Sequence, residues 1–154
     1  MRKSIQKLAI VQMDEKMENF KPVKAIDRPS GGWIKAIRTS LNMSIRQYAL
    51  RLRIAANSAR DIEEREKLGT ISLNALRSAG QALNMEFVYG FIPKDGSLDA
   101  MINRRAMDLA REIVKRTNTS MKLEDQQVKK ERLEKAVTEL ADEIKKEMPR
   151  YLWD

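Results

Sequence analysis

Asn57, Arg60, Asp61 and Glu64 are the side chains of this chain best suited to recognition chemistry. Their spacing of i, i+3, i+4 and i+7 puts them on one face of an α-helix. Ala59 and Ile62, small or apolar and three apart, fall on the opposite face and suit a core. An amide beside a guanidinium on a polar helical face matches the edges of base pairs, with arginine bidentate to guanine and asparagine to adenine. Asp61 can accept from a cytosine amine or orient Arg60, and Ala56 is small enough to lie against a thymine methyl. Base reading is therefore expected from Ala56, Asn57, Arg60 and Asp61. Ser44, at the start of the preceding helix, is placed for a phosphate, and Arg46, Arg53 and Arg65 supply further charge for the phosphate backbone. An ordinary helical hairpin with a solvated polar face fits the same spacing.

The elements that must position these residues follow from periodicity and punctuation. Residues 44–66 read as two short helices joined by a turn at 53–55, the form of a helix-turn-helix. Ser44 caps the first, with Ile45, Ala49 and Leu52 inward. A preceding helix over 33–41 turns Trp33, Ile34, Ile37 and Leu41 inward. Gly69 ends the loop after the second helix of the motif, and Ser72 caps a further one with Leu73, Leu76, Ala79 and Leu83 inward. Upstream, 4–19 reads as an amphipathic helix with Ile5, Leu8, Ala9, Gln12, Met13 and Met17 near one stripe. Residues 20–29 read as extended, broken by Pro22 and Pro29, and 30–32 as a flexible joint.

Downstream, Phe87, Tyr89 and Phe91 alternate onto one face of a strand over about 86–92. A lone strand leaves its backbone groups unpaired. Pairing with the same strand of a second copy is the favoured answer and gives a two-fold dimer; pairing with 23–26 in the same chain is the alternative. Ser97 caps a long helix to about Thr117 carrying Leu98, Met101, Ile102, Ala106, Leu109 and Ile113 on one stripe. A last helix over about 123–148 carries Leu133, Val137, Leu140, Ile144 and Met148. Pro149 ends it, and Tyr151, Leu152 and Trp153 either anchor a partner or dock on the chain's own helices. The expected fold is mainly α, in three parts: 1–30, an N-terminal helix and linker; 31–92, a DNA-binding domain with a dimerisation strand; and 93–154, a two-helix extension.

Bulk properties narrow the function. The net charge of +8 is concentrated, because residues 1–54 hold 12 Lys/Arg against 4 Asp/Glu and the remainder is balanced. Such a field suits a phosphate backbone, and it also suits a merely well-solvated surface. The 154 residues contain no cysteine and no histidine. Disulfides, thiolate metal sites, nucleophile–histidine pairs and a histidine base are thereby excluded, so an enzyme is not expected, nor is a metal or cofactor. No apolar run approaches a membrane span and the N-terminus does not read as a signal peptide, so a soluble cytoplasmic chain is expected, nucleoid-associated when bound to DNA.

Several short patterns bear on family. Arg46 and Ala49, then Leu52 and Ile54, then Asn57, Ser58, Ile62 and Glu63 precede a capped stretch SLNALRSAGQALNM at 72–85. In this order residues 44–83 resemble the Xre family of lambda-repressor-like helix-turn-helix proteins. The resemblance implies that Glu63 pairs with Arg38 in a scaffolding role. Arg53 departs from the usual glycine of the turn, and Ala55 from the usual Ser/Thr cap.

Longer stretches, GGWIKAIRTSLNMS (31–44), YGFIPKDGSL (89–98), MKLEDQ (121–126) and EMPRYLWD (147–154), resemble the mobile mystery protein A family nearly end to end. That resemblance implies a neighbouring gene for a Fic-domain protein, mobile mystery protein B, in a toxin–antitoxin-like module. Fic inhibitors carry Ser or Thr, three residues, Glu, then Gly or Asn. Ser120 and Glu124 fit the first part, and Asp125 departs from the last. The same residues also suit an ordinary helix N-terminus. Double-stranded DNA with a palindromic operator, a second copy and a Fic-domain protein are the expected partners. The expected function is an autoregulating, antitoxin-like repressor, with the alternative of a protein that mainly binds and inhibits the Fic AMP-transferase.

Overall fold

The computed structural model describes residues 1–118 and 126–154. The fold is mainly helical, with no strand among the described residues. Its α-helices are α1 (Arg2–Glu18), α2 (Trp33–Ser40), α3 (Ile45–Leu52), α4 (Ala56–Leu68), α5 (Leu73–Ala82), α6 (Leu98–Asn118) and α7 (Gln126–Glu147). Short 3₁₀ turns cover Lys21–Ala25 and Arg150–Trp153. The chain forms two compact units, Val23–Gly90 and a second made of Met1–Pro22 with Phe91–Asp154.

The unit Val23–Gly90 holds α2 to α5 around Ile34, Tyr48, Ala49, Ala59, Ala79 and Leu83. Three of these six are alanines, which lets short helices approach closely. Ser44 opens α3 with a capping box: its Oγ accepts from Gln47 N–H at 3.2 Å, and Gln47 Oε1 accepts from Ser44 N–H at 2.8 Å. Gly69 ends α4 at φ 76°, and Ser72 opens α5 by accepting from Ala75 N–H. Some residues read as inward are not. Trp33, Leu41 and Leu73 lie at or beside helix ends, where the period of the stripe continues but the core does not, and all three are exposed.

The other unit packs α6 on α7, with α1 against α6. Ile102, Ala106 and Ala110 recur every four residues on α6 and meet Val137, Ala141 and Ile144 of α7. The C-terminal turn folds back onto this pair. Leu152 is fully buried and its carbonyl accepts from Arg105 Nε at 2.7 Å, while Tyr151 and Trp153 stay exposed.

Helix α1 corrects the expected stripe. It turns Ile10, Asp14 and Met17 toward its unit and leaves Ile5, Leu8, Val11 and Met13 exposed. It is held by a polar contact: Asp14 Oδ1 accepts from Leu98 N–H at 2.6 Å and Oδ2 from Asp99 N–H at 3.3 Å. Ser97 Oγ accepts from Ala100 N–H at 3.0 Å. The first three orphan donors of α6 are thus satisfied, two of them by a carboxylate at the positive end of the helix dipole.

Two further expectations are corrected. Residues 20–29 are not simply extended, because Pro22 with its fixed φ fits the first turn of the 3₁₀ segment. Among the described residues 86–92 form no β-ladder, and the alternative of pairing with 23–26 in the same chain is not seen, because 23–25 belong to that turn. Phe87 and Tyr89 nevertheless stack at 6.0 Å with their planes 13° apart. Side chains two residues apart on one side are the mark of an extended backbone.

Asp14→Ala is expected to destabilise its unit by about 1 kcal/mol, the usual cost of losing a cap. Lys3→Ala, which removes an exposed 3.9 Å pair with Glu147, is expected to change stability by less than about 0.5 kcal/mol. Urea unfolding followed by circular dichroism compares the two.

Candidate nucleic-acid interface

The site is built on α4, and its orientation is set from inside. Glu63 and Glu66, three residues apart, share the inner face with Ala59 and are both buried. Glu63 takes a bidentate ion pair from Arg38, near the end of α2, whose Nη1 also donates to the Met43 carbonyl at 2.8 Å. Glu66 takes the beginning of the same helix: Oε1 accepts from Trp33 N–H at 2.7 Å and Oε2 from Ile34 N–H at 2.9 Å. α4 therefore grips α2 at both ends.

Gly32 makes the second grip possible. Its φ is 89°, and a Cβ there would stand 2.9 Å from Glu66 Oε2. Residues 30–32, expected to be a loose joint, are closely packed at this glycine because the carboxylate needs the space.

Tyr48 lies beneath the same carboxylates. It is fully buried, and its hydroxyl has no hydrogen-bond partner among the described residues. Burial first, then the charges of Glu63 and Glu66, push its ionisation well above the usual phenol range; Arg38 opposes them. The phenol is neutral in the folded protein.

With the inner face fixed, the outer one follows. Asn57, Arg60, Asp61 and Glu64 are all exposed, and Ala56 is half-buried. Arg60 Nη1 donates to Asn57 Oδ1 at 3.3 Å. Asn57, not Asp61, orients the guanidinium. An exposed bond of this length exchanges readily for a base edge or water. Arg46, Arg53 and Arg65 are exposed as well. Ser44 has its Oγ lone pair and N–H engaged in the capping box, so it offers a phosphate only its hydroxyl proton and the first-turn donors that follow it.

Arg53 closes α3 in the left-handed conformation, φ 59° and ψ 40°. This is the conformation a glycine adopts freely and an arginine adopts at a cost of about 1 kcal/mol. Ala55 starts α4 without a side-chain cap. Between α2 and α4 lies a cleft of about 460 Å³ lined in part by Lys35, Arg60, Glu64 and Lys67. Lys35 and Lys67 are cations beside the outer face of α4 that spacing on that helix did not single out. Glu66 and Tyr48 were missed too, although Glu66 follows Glu63 by one turn and Tyr48 lies on the stripe of Ile45, Ala49 and Leu52.

Elsewhere, Phe87 and Tyr89 come together, and Phe91 is 80% exposed. Ser120 and Glu124 lie outside the described residues. Among the described residues no group of three side chains suits a metal, and no helix is long and apolar enough to cross a membrane. No family model, no curated protein and no solved structure matches the chain.

Glu63→Ala leaves the partly buried Arg38 without its counter-charge and is expected to cost about 3 kcal/mol in urea unfolding. Tyr48→Phe removes an unsatisfied hydroxyl and is expected to gain about 1 kcal/mol. The folded state holds the phenol proton above pH 10, where the unfolded chain releases it. Stability therefore falls as pH rises past 10, and less so in Tyr48→Phe; thermal melts from neutral to alkaline pH measure both effects.

Proposed function

We propose that the chain is a sequence-specific DNA-binding repressor that acts as a homodimer on a palindromic operator, its own upstream region being the first candidate, with α4 in the major groove. The observation that carries this reading is the outer face of α4. An amide, a guanidinium and a carboxylate stand exposed on a helix whose inner face is fastened at Glu63 and Glu66. A base-reading helix needs just this division, since a bidentate contact tolerates little rotation. The positive balance of residues 1–54 supports the reading by supplying phosphate contacts. Ala56, Asn57, Arg60 and Asp61 read bases, Arg46, Arg53 and Arg65 meet phosphates, and Ser44 adds its helix start. Antitoxin-like pairing with a Fic-domain protein is proposed on the sequence resemblance alone; a cytoplasmic site of action and the absence of any enzymatic role are proposed on composition.

Gel shifts with the upstream region test it. Each bidentate base contact contributes about 1–3 kcal/mol, so Asn57→Ala/Arg60→Ala is expected to bind the operator roughly 100-fold more weakly while non-specific affinity changes much less. Unchanged affinity and preference in that double mutant would remove these residues from the interface.

A further inference from the structure

The segment after α5 is held along one edge and free along the other. Asn84, at φ 57°, turns the chain out of α5, and Met85 N–H donates back to the Gly80 carbonyl at 2.8 Å. Gly80 admits this approach: a Cβ there would stand 3.1 Å from Met85 O and 3.7 Å from the Phe87 nitrogen. The peptide groups of residues 85 and 87 therefore turn toward α5. In an extended chain successive residues direct their hydrogen-bonding groups to opposite edges. The Phe87–Tyr89 stack reports that extended form, so the groups of Glu86 and Val88 turn outward. Among the described residues no hydrogen bond to their backbone is formed.

We propose that this free edge pairs antiparallel with the same segment of a second copy, about a two-fold axis at Gly90. In that register Glu86 faces the partner's Lys94, Val88 the partner's Ile92, and Tyr89 the partner's Phe91. Three separate features agree on it. Glu86 and Val88, whose peptide groups turn outward, are among the residues that exchange hydrogen bonds in it. Pro93, which has no N–H to donate, falls at a non-bonded position opposite Phe87. Opposite charges meet at both ends, and the 55%-exposed Tyr89 and 80%-exposed Phe91 cover each other in the close, non-bonded pair. A second copy is the occupant because the segment is complementary to itself, as an isologous contact requires. The inference supplies the contact for the homodimer proposed above, and it is tested without DNA so that either can fail alone.

The chain has no cysteine, so single replacements report contacts cleanly. Gly90→Cys in the full chain, mildly oxidised, is expected to yield a disulfide-linked dimer, because directly paired Cα atoms lie about 5.5 Å apart, within bridging range. Val88→Cys is expected to stay unlinked, its two copies being about 14 Å apart, four residues along the strand. Sedimentation equilibrium of the unaltered chain is expected to give twice the chain mass. A monomer mass across the micromolar range overturns the proposal. So does a dimer in which neither cysteine links, or in which Val88→Cys links in place of Gly90→Cys.

Discussion

The unit Val23–Gly90 depends on two carboxylates turned inward. Glu63 and Glu66 sit one turn apart on α4 and fasten opposite ends of α2, one through a guanidinium and one through backbone N–H groups. Alanines cannot fix the rotation of a helix, because they touch little, and alanines make up half of this core. Directional bonds to buried carboxylates can. A buried ion pair is weak evidence for net stability, since desolvation offsets much of its attraction. Its consequence here is orientation: once α4 is set by its inner face, Asn57, Arg60 and Asp61 have nowhere to point but outward.

The same device recurs in the other unit. Asp14 of α1 accepts the first two donors of α6, as Glu66 accepts the first two of α2. Each is a carboxylate brought from elsewhere in the sequence to a helix start, where the dipole favours it. The two cases differ in what makes room. At α2 the chain places Gly32, whose missing Cβ and φ of 89° let Glu66 come in; at α6 Ser97 shares the capping.

Much of the local structure was legible because it rests on local chemistry. Ser44, Ser72 and Gly69 mark helix ends by what their own atoms can do, and the outer face of α4 follows from spacing. What was not legible depends on tertiary choice. α1 carries apolar residues on two faces, Ile5 and Leu8 on one and Ile10 and Met17 on the other, and periodicity cannot say which one packs. Tyr48 occupies an inner position on α3, but its hydroxyl disguised it as polar. Phe87, Tyr89 and Phe91 show alternation without a ladder, because a ladder needs a partner strand and the described residues hold none. The inward role of Glu66 needs knowledge that Gly32 lies beside it, 34 residues away in the sequence.

Base reading by the outer face of α4 is the proposal on which the function rests. Selection of the purified chain on a pool of random DNA duplexes at fixed salt, followed by sequencing, tests it most directly. Enrichment of a two-fold symmetric site is expected, with the preference at one position of each half-site lost when the selection is repeated with Asn57→Ala. Enrichment of no sequence above the starting pool, or an unaltered site with Asn57→Ala, would contradict it.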